Sequence, residues 1–193
     1  MPWFLWVYFV LTFLALIALS WPMVSSRWWD TNMDWIESNQ RRFNFFTKED
    51  ERLSRLFRDV LQRSKEKGFP EYPVILRKVR SFVWTTYDGL ARNNTIRKDK
   101  NKIYIFERAT RGYSDDDLRV LLAHEWGHIL DGVTKRTGHP VFARVKRFDS
   151  EEFADFIAAY LYSKEMLFDT ARRCKYDGRS LDKLNNIEIT RTF

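Results

Sequence analysis

With a single cysteine, Cys174, the chain can close no disulfide within itself, so a packed core must hold it together. One cysteine also fits a reducing compartment. Glycine and proline are few, seven and five residues, and there is no internal repeat and no low-complexity tract, so the composition is that of a folded domain. Histidine is scarcer still, with three residues in 193. Charge is missing altogether between Trp3 and Leu19, and no Lys or Arg precedes that run.

Two of the three histidines stand together in His124-Glu125-Trp126-Gly127-His128. On a helix, positions i and i+4 share one face, so both imidazoles can reach one ion. Glu125, one residue round, can hold a water beside that ion. Two neutral nitrogens and a proton-accepting carboxylate are the donor set of hydrolytic zinc chemistry. The flanks predict the helix. Ser114 with Asp117 makes a capping box, and Asp115, Asp116 and Asp117 suit a helix N-terminus. Leu118, Leu121, Leu122, Glu125 and Ile129 keep helical spacing, and Asp131-Gly132 supplies a stop after about four turns. The preceding run Lys102–Phe106 reads as a strand, taken functionally as an edge beside the metal, open to an extended peptide.

Catalytic zinc usually takes three protein ligands. Downstream, Phe153, Phe156, Ile157, Tyr160 and Leu161 form an apolar helical stripe, with Asp149 or Ser150 as N-cap. Glu151 and Asp155 share another face. Glu151 is the candidate third ligand, and Asp155 can accept an N–H from a metal-bound imidazole. Glu152 reads as a solvated start of the helix. His139, in Gly138-His139-Pro140-Val141-Phe142, is the rival third ligand. Thr134 occupies the position where a metzincin would carry its third histidine.

His124–His128, followed by Glu151-Glu152-Phe153-Ala154-Asp155, resembles the gluzincin zinc metallopeptidases, a group that includes thermolysin, the HtpX-like peptidases and the ImmA/IrrE-like peptidases. The stretch Glu151–Tyr162 also resembles domains of the anthrax-lethal-factor type. The likeness covers roughly Ile103 to Phe168. It implies His124, His128 and Glu151 as ligands of Zn²⁺, Glu125 as base and Asp155 as the support behind a ligand. It assigns no oxyanion stabiliser; Tyr160 and His139 are the candidates. The 138–142 stretch has a fainter similarity to Spartan-like proteases, at a shorter spacing.

The uncharged run reads as a transmembrane anchor. With Met23 it reaches about 21 residues, near 30 Å as a helix. Trp3, Trp6, Trp21, Trp28 and Trp29 cluster at its ends. Arg27, Arg41 and Arg42 follow it, which puts the remainder on the cytoplasmic side of a single-pass membrane protein. The rival is a cleaved secretory signal ending near Ala18-Leu19-Ser20. Next, Thr47 with Asp50 opens a helix whose apolar stripe is Leu53, Leu56, Phe57, Val60 and Leu61, ended by Gly68. Val74–Val79 and Ser81–Tyr87 read as strands, with Asp88-Gly89 a turn. The tail after Phe168 is basic and polar, with one short helix from Ser180.

The expected architecture is therefore α+β: an anchor over residues 1–26, then a metallopeptidase-like domain over 27–193 with its metal-binding core at about 102–168. The net charge of +7 suits a surface facing anionic lipid, and no nucleic-acid motif accompanies it. The expected function is a membrane-anchored zinc metalloendopeptidase acting on a protein or peptide. Two alternatives are a non-catalytic zinc-binding interaction protein at the membrane and a DNA-associated protease using His139.

Overall fold

The computed structural model describes residues 3–20 (side chains for 4–14), 46, 50–80, 88–92, 101–174, 181, 183 and 184. The elements are α1 (Trp3–Ser20), α2 (Glu51–Glu66), β1 (Val74–Val79), β2 (Gly89–Arg92), β3 (Asn101–Phe106), α3 (Asp115–Thr134), a 3-10 helix (Pro140–Val145), α4 (Ser150–Leu161) and α5 (Lys164–Cys174). The class is α+β. The sheet order is β1-β3-β2, with β1 parallel and β2 antiparallel to β3.

The anchor expectation is corrected. Among the described residues no helix is long and apolar enough to cross a membrane. α1 is described over Trp3–Ser20, 18 residues. The single-pass membrane localisation falls with the anchor. Met23 and the flanking Arg27, Arg41 and Arg42 lie outside the described residues, as do the expected strand 81–87 and the start of the helix expected from Ser180.

α3 is the hub of the domain, packed against α4, α2, β2 and α5. Its start is as expected: Ser114 and Asp117 form a reciprocal capping box. Its end is not at Gly132. The helix runs on to Thr134, and Lys135 takes the left-handed cap with φ 52°. Arg136, also left-handed, holds this end by bonding Asp131 and the carbonyls of Val145, Phe148 and Asp149. That side-chain clamp ties the C-terminus of α3 to the start of α4 and offsets the strain of two non-glycine residues at positive φ.

α2 begins at Glu51 with Asp50 as its N-cap, whose carboxylate accepts the Leu53 N–H at 3.0 Å; Thr47, the expected partner in a capping box, lies outside the described residues. Trp126 of α3 donates its indole N–H to Ser64 of α2 at 2.8 Å and meets Phe57 edge-on. Strand β3 is central, not an edge. Its Ile103, Tyr104, Ile105 and Phe106 are all buried, the pattern of a strand covered on both faces. The edge strand that packs on α3 is β2. α5, which the tail did not suggest, docks on α3 through Arg173 and Thr170, both bonded to the buried Asp117 carboxylate.

Candidate metal centre

Gly127 lets α3 and α4 approach closely: a Cβ there would lie 2.7 Å from the Ala154 Cα. This contact sets the ligating face of one helix against the other. α4 is started by Asp149, whose capping box is closed by Glu152. Glu152 is therefore not a solvated start; it is buried, bonds the Asp149 N–H and pairs with Lys183. With the cap at Asp149, Ser150 and Glu151 occupy the first turn and face α3.

The Nε2 atoms of His124 and His128 lie 3.1 Å apart. One Glu151 oxygen lies 3.3 Å from His124 Nε2 and the other 3.5 Å from His128 Nε2. These three residues form a group able to hold a metal ion. Four ligands at about 2.0–2.1 Å in a tetrahedron stand about 3.3 Å from one another, so the spacing suits a small tetrahedral ion. His124 is buried, His128 half-buried and Glu151 exposed, so the group opens to solvent on the Glu151 side.

Each imidazole is oriented from behind. His124 Nδ1 lies 2.8 Å from Asp155 Oδ1, and Asp155 is fully buried. His128 Nδ1 lies 3.0 Å from Ser150 Oγ. With both Nδ1–H groups donating, both Nε2 lone pairs are left for the ion. Burial opposes a charge on His124, but the Asp155 and Glu151 carboxylates outweigh it and lift the imidazolium to about 10 in the metal-free protein. Glu151 is held well below the usual carboxylate range, chiefly by its hydrogen bond with His124 and then by His128.

Glu125 is 5% exposed, and burial pushes its carboxyl upward. It lies against β2. A Cβ on Gly89 would stand 2.5 Å from Glu125 Oε1, so no side chain fits there unless the carboxylate moves. The Ala91 N–H on the same strand favours the charged form. Glu125 Oε2 is buried without a hydrogen-bond partner among the described residues. A carboxylate oxygen in that state is costly unless a proton, a water or an ion completes it.

The structure thus brings His124, His128, Glu151 and Asp155 together and leaves His139 out. Its Nε2–H donates to the Lys67 carbonyl at 2.9 Å, its Nδ1 accepts the Val141 N–H at 3.2 Å, and its ring stacks on Phe69 at 4.3 Å. Both nitrogens are used in tying α2 to the 3-10 helix. Tyr160 is a core residue, stacked on Phe156 and edge-on to Phe69. Sequence reasoning missed Ser150 as a partner of His128 and Gly89 as the floor under Glu125. The first had a signal, a hydroxyl next to the candidate ligand. The second had little, since Asp88-Gly89 reads as a turn in the sequence, whereas Gly89 is the first residue of β2.

Comparison with protein families, with curated proteins and with solved structures finds no match to this chain.

Proposed function

We propose that the protein is a zinc-dependent endopeptidase of the gluzincin type. The observation that carries this reading is the pairing of two convergent Nε2 atoms and one carboxylate, open on one side, with a buried and incompletely bonded Glu125 next to them. Two imidazole donors favour a first-row transition metal over Mg²⁺ or Ca²⁺, and the spacing of about 3.3 Å favours tetrahedral Zn²⁺. When bound, the ion supplies Lewis acidity, lowering the pKa of a water and polarising a carbonyl oxygen.

The chain's own residues do the rest. Asp155 and Ser150 hold the two imidazoles in the ligating tautomer. Glu125, pushed up by burial, is suited to take a proton from the attacking water and return it to the leaving amine nitrogen. β2 carries Gly89 and Ala91 beside Glu125 and is the strand along which an extended peptide would lie, the part first expected of Lys102–Phe106. The open side counts against a purely structural zinc, which four protein ligands would close. The two engaged nitrogens of His139 count against the reading that uses it as a ligand.

The test is zinc content and hydrolysis of an unstructured protein substrate, measured together for wild type, Glu125→Gln and Glu151→Ala. One zinc per chain is expected in wild type. Glu125→Gln should keep the zinc and lose hydrolysis by at least about a hundredfold, while Glu151→Ala should lose the zinc. Hydrolysis retained by Glu125→Gln would sink the mechanism.

A further inference from the structure

The opposite edge of the sheet from β2 is formed by β1, and one face of α2 runs beside it. Between them lies an open groove of about 520 Å³, lined by Leu53, Phe57, Arg58 and Leu61 of the helix and by Val74–Lys78 of the strand. That volume is in the range of ligand clefts. β1 pairs with β3 on one side. On its other side, among the described residues, it is met only at Val79, by an isolated antiparallel bridge from Phe46. Among the described residues, alternate positions of Val74–Arg77 therefore turn their N–H and C=O groups outward, a template for another strand.

The side chains say what kind of strand. Ile75 is 39% exposed on this edge, and Leu61, Val74 and Leu76 are only partly buried. Lys78 is neutralised by Asp50 at 2.9 Å and Glu107 at 3.3 Å. Arg58 and Arg77 are exposed, and no ion pair reaches either among the described residues. Two free cations on an apolar edge repel a second copy of the same edge and attract a segment carrying carboxylates.

We propose that this groove binds an extended acidic peptide segment by strand addition to β1. The segment's main chain pairs with Val74–Arg77, its apolar side chains rest against Leu61 and Ile75, and its carboxylates meet Arg58 and Arg77. The groove is built without any metal-ligating residue, so this binding is independent of the reading of the metal centre.

The experiment is fluorescence anisotropy with the full chain carrying Glu125→Gln, so that the probe survives even if the protein is a peptidase. The probe is a labelled octapeptide repeating Glu-Glu-Val-Val, so that each face of the added strand carries both residue types, with a Lys-Lys-Val-Val counterpart and a Glu-Val version N-methylated at alternate amides. The Glu-Val peptide should bind, and the Lys-Val peptide should bind at least about tenfold more weakly. The N-methylated peptide should not bind, and a chelator should change nothing. Arg58→Glu with Arg77→Glu, both on the surface, should exchange the preference for acidic over basic peptide while leaving the melting temperature unchanged. Absence of binding would overturn the proposal. So would equal binding by the N-methylated peptide or by the double variant, since charge alone or another site would then explain it. Loss of binding on chelation would move the peptide to the metal centre. A dimer that Ile75→Lys dissociates would give the edge to a second copy.

Discussion

His124 shows how one residue can be set for a metal by competing forces. Burial alone would strip its proton, yet two carboxylates hold that proton up to about 10. The free imidazole of an unfolded chain titrates near 6.5. Because the folded value is the higher one, protonated His124 stabilises the metal-free fold fully below about pH 6.5, and this contribution is lost as pH rises through about 10. An ion must displace the same proton, so zinc affinity should rise up to about tenfold per pH unit between pH 6.5 and 8. Calorimetry in buffers of different ionisation enthalpy should find about one proton released from this residue per zinc. The residues behind the ligands test the geometry. Asp155→Ala and Ser150→Ala should each weaken zinc about 10–100-fold. The loss should be larger for Asp155, which is buried and charged, and a competition titration with a chromophoric chelator reads both.

At the scale of elements, two glycines govern how closely the parts of the site approach. Gly127 sets α3 against α4, and Gly89 sets β2 against Glu125. The obstruction at Gly127 is backbone, the Ala154 Cα at 2.7 Å, so Gly127→Ala should push the helices apart, cost about 1–3 kcal/mol of stability and weaken zinc. The obstruction at Gly89 is the Glu125 side chain, so Gly89→Ala should displace that carboxylate. Zinc content should then stay near wild type while kcat of the proposed hydrolysis falls at least about tenfold. Equal losses of zinc in both variants would contradict this division of roles. The capping boxes at Ser114 and Asp149 matter in the same way, because each fixes the turn from which the ligands project.

For the whole molecule, an ion would bridge two helices that meet through one core. His124 and His128 lie on α3 and Glu151 on α4, while Asp117 joins α3 to α5 through Arg173 and Thr170. Binding at a thousandfold excess over Kd stabilises a fold by about 4 kcal/mol. For a domain of this size, that is a shift of about 8–16 °C in Tm. Chelation should lower Tm by about this amount in wild type and hardly at all in Glu151→Ala, as read by thermal denaturation.

Much of the site was legible because its cues are local. The i, i+4 spacing of His124 and His128, the capping box at Ser114 and the Glu151–Asp155 pair are set within one or two helical turns, where sequence spacing translates directly into direction in space. The end of α3 was not legible, since Arg136 reaches carbonyls well along the chain to hold Lys135 in the left-handed region. The membrane reading rested on an uncharged run with tryptophans and arginines at its flanks, and among the described residues no helix is long and apolar enough to carry it. Strand order was decided only by tertiary structure: β3 pairs with β1 on one side and with β2 on the other, which leaves β2 beside Glu125 and β1 at the opposite edge of the described sheet. His139 was likewise decided by the fold. A histidine's role depends on what its two nitrogens meet, and here they meet Lys67 and Val141. Sequence spacing by itself determined which side chains can share a face; only the packing of α3 on α4 and β2 decided which faces meet.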